Sequence, residues 1–474
     1  MHSNRSVFLR SVRCISAGAL LLLNLSGVGR AAEAGARSKT TAMAVPKDLN
    51  AAVQLRAAAP YFQVRYEAST TTGELGMPVV FTMWIPPGLK TLRGVIVRQH
   101  GCGVGAADDG LTAAYDLHWQ ALARKWDCAL LAPSYRREAT TQLCGLWLDP
   151  RKGSEKAFLQ ALHDLGNKSG HAELPAVPWA LWGHSGGGFW ASFMHMLHPE
   201  RIVGIWLRSG SALMAWEVGE LPKPSIPAAA WDVPLAFNVG EKELLPAPKT
   251  RLTWRQTFES YRKQGALISW VVDPLSSHDC GDSRYAAIAF FDACLAQRLP
   301  RPATASQQLQ RVNWEVAWMA EAGCSVAAPI AEFKGDPTTA SWLPDARFAR
   351  VWTGYVKTGR PADDTPPPAP MEVVVDAARE ITWRADIDLE SGLAGFIIQR
   401  DGMEIGRLPR KSLGKFGTAL FQGLSHGDTP IKPDEPMRFV DQAAPAHPAA
   451  RYSVTSINAA GLKSAPAAAK PMGH

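Results

Sequence analysis

Metal-type cysteine pairs are missing from this sequence: its seven cysteines include no Cys-x-x-Cys, and no Cys/His spacing would hold zinc. Long apolar runs are equally scarce. Past residue 34 nothing approaches the roughly 20 apolar residues that a bilayer-spanning helix needs, so no membrane span is expected in the mature chain. Basic runs are absent as well. The formal net charge of +7 falls to about +3 once the four arginines of residues 1–30 are set aside, which gives no case for nucleic acid. With 46% hydrophobic and 20% charged residues, wholesale disorder is excluded, and 474 residues imply two or three domains. Tryptophan, by contrast, is abundant at 17 residues. Packing accounts for most of them, with an aromatic platform for a sugar or aryl group as the alternative.

Residues 1–34 read as a signal peptide. Arg5, Arg10 and Arg13 precede the apolar run that begins at Cys14, and the small residues Ala31, Ala32 and Ala34 follow it. A retained N-terminal anchor is the competing reading. The chain is therefore expected to be exported, to a periplasmic or extracellular destination. Six cysteines remain beyond the leader, at 102, 128, 144, 280, 294 and 324. An even number in an exported chain is compatible with disulfides. The expected bridge is Cys294–Cys324, while Cys128, at the start of an apolar run, reads as a buried thiol.

Two strand-like stretches between Tyr61 and Trp84 flank a turn at 72–78. Short apolar runs then recur at 94–98, 128–132, 178–182, 202–207, 234–239 and 267–272. Helix-length amphipathic segments at 111–126, 153–168, 187–198, 249–264 and 283–298 lie between most of them. Such alternation predicts a doubly wound, mostly parallel sheet covered on both faces, in a domain spanning 45–300. Residues 301–360 read as a helical extension packed on that domain, and 361–370 as a stiff proline-rich linker. From 371 to 470 the periodicity is all-β, with a hairpin signal at Asp401-Gly402.

Gly183-His184-Ser185-Gly186-Gly187 carries the chemistry. The pentapeptide alone is weak evidence, but here an apolar strand leads into it and a helical run leads out. A nucleophilic serine needs that context, in a sharp turn that lifts its hydroxyl above the sheet. His100-Gly101-Cys102-Gly103 closes an earlier strand and is placed to aim the Cys102 backbone N–H at a carbonyl oxygen, with the Gly186 N–H as second donor. His278 lies on a loop just past the run 267–272 and reads as the base, whereas His184, His195 and His198 read as packing or surface residues. Glu243, after the strand 234–239, leads as the acid over Glu241 and Asp273. Trp147, Trp216 and Trp231 are candidates to line the site, with packing as the alternative for each. Only about 25 residues, 209–233, separate two of the sheet strands, too few for a cap domain.

With these motifs in place, residues 60–300 resemble an α/β-hydrolase. His-Gly-Cys with a short elbow is similar to the polyhydroxyalkanoate-depolymerase and feruloyl-esterase-like secreted esterases. Trp383 and the run from Tyr452 to Pro466 resemble a fibronectin type III domain, although 410–436 is a longer insertion than such domains usually carry. The resemblance implies a serine hydrolase cleaving a carboxylic ester, polymeric or carbohydrate-linked esters included, without metal or organic cofactor. A serine peptidase of the prolyl-oligopeptidase type, and a secreted binding protein with a vestigial hydrolase domain, are the alternatives.

Overall fold

The structure is a computed structural model that describes residues 58–135, 143–244, 248–299, 308–410, 418, 420–433, 436–443 and 450–471. The expected signal peptide lies outside the described residues. Among the described residues no helix is long and apolar enough to cross a membrane.

Eight strands form the main sheet: β1 Tyr61–Tyr66, β2 Val79–Trp84, β3 Gly94–Gln99, β4 Cys128–Tyr135, β5 Trp179–His184, β6 Ile202–Arg208, β7 Leu235–Gly240 and β8 Ile268–Asp273. Their order across the sheet is β1-β2-β4-β3-β5-β6-β7-β8. β1, β2 and β4 pair antiparallel, and every pair from β4 through β3 to β8 is parallel. β3 to β7 are wholly buried, as apolar runs sandwiched between helix layers must be. The covering helices are α1 Val104–Thr112, α2 Leu117–Lys125, α3 Ser154–Ser169, α4 Gly186–Leu197, α5 Pro248–Lys263 and α6 Arg284–Arg298. The expected helix 111–126 is divided in two because the buried Asp116 leaves the helical conformation and caps α2, accepting from the His118 and Trp119 amides at 3.0 and 3.3 Å.

The segment expected to be a helical extension holds a small antiparallel sheet, β9 Trp318–Ala320, β10 Ala327–Pro329 and β11 Ser341–Leu343, and one helix, α7 Ala346–Thr358. This correction has a packing cause. Trp342 is fully buried beside Met319 and Leu267, and Ser341 Oγ accepts from the Trp270 amide at 2.8 Å, so the segment lies against β8 in extended form.

Two four-stranded sheets follow, β16-β13-β12-β19 and β15-β14-β17-β18, built from β12 Met371–Val375, β13 Glu380–Arg384, β14 Gly395–Arg400, β15 Met403–Leu408, β16 Arg438–Val440, β17 Tyr452–Ile457, β18 Ala467–Ala468 and β19 Lys470–Pro471. Asp401 and Gly402, both at positive φ, make the turn between β14 and β15. Trp383, Phe396 and Phe421 stack edge to face in the core of this sandwich. Main sheet and sandwich belong to one compact unit, Pro46–His474. The proline-rich stretch between them is pinned: Asp363 Oδ2 accepts from Ser391 Oγ at 2.6 Å and Asn458 Nδ2 at 2.8 Å.

The disulfide is Cys102–Cys144, with Cα atoms 5.5 Å apart, and not Cys294–Cys324. Cys294 points from α6 into the sheet, where its Sγ would lie 3.2 Å from a Cβ on Gly204 of β6. It cannot face Cys324, whose thiol bonds Glu321 at 3.8 Å. Cys128 is buried as expected, and burial pushes its thiol up to about 12.

Candidate active site

Ser185 stands between β5 and α4 with φ at 51°, a left-handed conformation that L-residues avoid and that functional turns tolerate. Two glycines make the turn possible, since a Cβ on Gly183 would collide with the backbone of Gly187. β6 holds the turn from beside it, the Arg208 carbonyl accepting from the Ser185 amide at 2.8 Å.

Of the residues singled out in the sequence, the structure brings Ser185, His278 and Glu243 into one hydrogen-bonded file. His278 Nε2 lies 3.0 Å from Ser185 Oγ, and His278 Nδ1 lies 2.8 Å from Glu243 Oε1. Ser209 Oγ donates to the second Glu243 oxygen at 2.7 Å. The His278 side chain is 49% exposed and that of Glu243 19%, so the imidazole faces solvent while the carboxylate sits behind it. Neither rival acid reaches the imidazole. Asp273 is fully buried and accepts from the Tyr355 hydroxyl at 2.8 Å and the Leu275 amide at 2.9 Å, a brace for the loop. Glu241 opens the short helical turn whose third residue is Glu243.

Gly186 is the first residue of α4, and its N–H is one of those a helix leaves without an internal partner. The disulfide lies directly against it: a Cβ on Gly186 would strike both Cys102 Sγ and Cys144 Sγ. Cys102, expected to serve through its backbone, is thereby tied beside the Gly186 N–H, and its thiol is consumed in the bridge. His100 braces the same loop. Its Nδ1 bonds the Gly101 carbonyl at 2.6 Å and its Nε2 accepts from the Tyr135 amide at 3.1 Å. Burial pushes this imidazole down to about 4, so it stays neutral and can accept at Nε2.

The loop carrying His278 is gripped through three successive carbonyls. Arg208, fully buried at the end of β6, donates to the Ser277 carbonyl at 2.8 Å, the Asp279 carbonyl at 3.1 Å and Ser276 Oγ at 2.9 Å. Between them, His184 Nε2 donates to the His278 carbonyl at 2.7 Å. Burial pushes His184 down to about 3, which leaves it a neutral donor. From sequence His184 reads as packing or surface, Cys144 as one of six cysteines without an assigned partner, and Arg208 and Ser209 carry no assignment. One signal is the charge at a strand end: Arg208 closes an otherwise apolar strand, and Arg98 is the second-last residue of β3. Such a charge must find partners or unfold the strand end.

The three tryptophans sort differently. Trp147 is buried and stacked on Tyr135 at 4.8 Å, with its edge reaching the disulfide side of Gly186. Trp216 packs on Phe193 and Trp231 on Tyr261. His195 bonds the Ala230 carbonyl at 2.8 Å, and His198 bonds Glu155 at 2.6 Å, both away from Ser185. Between β6 and β7 lie only the short helical turns Ala212–Glu217 and Ala228–Asp232, so this connection holds no cap domain.

No family model matches the chain, and no curated protein matches it. Among solved structures, it is similar to a poly(3-hydroxybutyrate) depolymerase from Bordetella parapertussis, at 17% identity and a TM-score of 0.38 over 53% of this chain and 94% of that one. An S-formylglutathione hydrolase from Agrobacterium tumefaciens matches at 16% identity and a TM-score of 0.33, over 50% of this chain and 95% of that one. A thermostable carboxyl esterase from Bacillus coagulans matches at 13% identity and a TM-score of 0.32, over 50% of this chain and 98% of that one.

Proposed function

We propose that the chain is an exported serine hydrolase that cleaves a carboxylic ester through an acyl-enzyme, with Ser185 as nucleophile, His278 as base and Glu243 as its orienting acid. The observation that carries the reading is the file of hydrogen bonds from Ser185 Oγ through His278 to Glu243, at 3.0 and 2.8 Å. Both distances lie within the reach that proton transfer requires. His278 Nε2 takes the hydroxyl proton as Ser185 attacks the ester carbonyl. Glu243 holds the Nδ1–H tautomer and offsets the imidazolium charge that forms. The Cys102 and Gly186 amides receive the developing oxyanion, each worth about 3 kcal/mol of transition-state stabilisation. Protonated His278 then delivers its proton to the leaving alcohol. A water, activated by the same imidazole, releases the acid.

A neutral His184 suits this mechanism. Burial keeps His184 uncharged while its N–H fixes the His278 backbone. The C-terminal sandwich is read as a fibronectin type III-like module. Fluorogenic esters tested beside aminoacyl amides, with an organophosphonate probe on the folded chain, examine the proposal. Ester turnover with labelling at Ser185 is expected. Amide-only turnover would favour a peptidase, and unlabelled folded protein a vestigial site.

A further inference from the structure

The described part of the insertion 410–436 does not hang free as a connection between strands. It runs back along the main sheet and grips the segment that follows His278. Thr418 Oγ1 donates to Asp282 Oδ2 at 2.6 Å, the His426 carbonyl accepts from the Cys280 amide at 3.2 Å, and Asp428 Oδ1 accepts from Arg284 Nε at 2.7 Å. Arg98 Nη2 donates to the Asp428 carbonyl at 2.8 Å, and Thr429 Oγ1 donates to Asp109 Oδ1 at 3.1 Å. Gly427, Asp428 and Thr429 are buried and Ser425 is half-buried, yet His426 between them is exposed. Its ring centroid lies 5.9 Å from that of His184, which lies 5.3 Å from that of His278. A turn anchored on both sides thus presents one polar aromatic side chain, a single ring removed from the reacting imidazole.

We propose that His426 is a substrate-contacting residue supplied to the cleft by the C-terminal lobe, and that it recognises an oxygen-bearing group flanking the scissile ester. An imidazole offers one donor and one acceptor, so an ether, hydroxyl or carbonyl oxygen on the acyl or alcohol portion fits it and an alkyl chain of equal length does not. This inference rests on the esterase reading of Ser185 and assigns the lobe a part in choosing the substrate.

The test uses the full chain and two matched ester pairs. For the acyl side these are p-nitrophenyl methoxyacetate and p-nitrophenyl butyrate, which differ by an oxygen in place of a methylene. For the alcohol side they are 2-methoxyethyl and butyl acetate. His426→Ala is expected to lower kcat/KM for the oxygen-bearing member of one pair, relative to its alkyl partner, by about fivefold, the size of one hydrogen bond. His426→Gln is expected to restore most of that ratio, with the melting temperature of both variants unchanged. Ratios within about twofold of wild type in both pairs would overturn the inference, as would an equal loss on all four esters. Labelling of wild-type Ser185 by the phosphonate separates the two levels. A labelled, active enzyme with unmoved ratios sinks the role of His426 alone, while an unlabelled one sinks the esterase reading with it.

Discussion

Ser185 and His278 meet at 3.0 Å, but the chain delivers them by opposite routes. The serine turn is a local construction: a buried strand, glycines where backbones touch, and a helix start, all within residues 179–197. The histidine loop has almost no local structure. Its position is held by Arg208 and His184 from strand ends, by Tyr355 through Asp273, and by Thr418, His426 and Asp428 from more than a hundred residues downstream. On the proposed roles, the nucleophile is held in a strained conformation, which a short turn with close backbone contacts supplies. The proposed base has to be aimed, and a loop is aimed by whatever surrounds it.

Four substitutions test that contrast, and the largest effect belongs to the serine. Ser185→Ala should reduce ester hydrolysis by about 10⁶-fold with the fold intact, measured by initial rates and circular dichroism. Glu243→Gln should cost about 10³–10⁴-fold in kcat and little in KM, because the imidazole loses its orienting acceptor. Ester kinetics matching wild type would show that the acid lies elsewhere.

Asp428→Asn probes the remote support. The carboxylate lies between Arg98 and Arg284, with Asp116 on the far side of Arg284 at 2.6 Å. Burial favours the neutral form of Asp116, yet Arg284 and Arg98 hold its carboxyl below the usual range. Two arginines and two carboxylates thus share one buried cluster, and removing one negative charge leaves a cation uncompensated. Denaturant melts should show a loss of about 3 kcal/mol. An unchanged midpoint would mean that the lobe and the histidine loop are energetically separate.

The last test, of a similar size, is a pH dependence. His118 of α2 is buried against the sandwich, its Nε2 3.1 Å from the Leu389 carbonyl. Burial first, and then Arg284, push its imidazole down to about 4 from an ordinary 6.5. The unfolded chain therefore binds this proton more readily, so the stability of the neutral form is complete above pH 6.5 and is lost as pH falls towards 4. His118→Gln keeps a donor for Leu389 and removes the titration. Its unfolding free energy should fall less between pH 7 and 4, by about 3 kcal/mol. Parallel pH curves for the two proteins would contradict the assignment.

Reading from sequence succeeded where the physics is short-range. The strands at 94–99, 179–184 and 202–208 were legible as apolar runs because they are covered on both faces. Glu243 and His278, which the structure brings within 2.8 Å of each other, could be singled out because both follow such strands. The disulfide was missed, since Cys102 and Cys144 are joined by a fold-back that leaves no periodic trace. The extension 301–360, expected to be helical, holds one helix in its described part, but its short sheet left no signal because the strands are three residues long and owe their shape to the edge they pack on. His426 carried no signal at all, lying in an insertion whose only mark was its length.

What this sequence determined by itself is the alternation of buried strand and amphipathic helix and the turn that strains Ser185, because hydrophobic periodicity and glycine placement act between near neighbours. Only the tertiary structure decided which carboxylate bonds His278, which cysteines join, and that the C-terminal lobe grips the segment following His278. Those depend on pairings between groups remote in the chain, where burial of a charge or a donor is tolerable for one arrangement of partners alone.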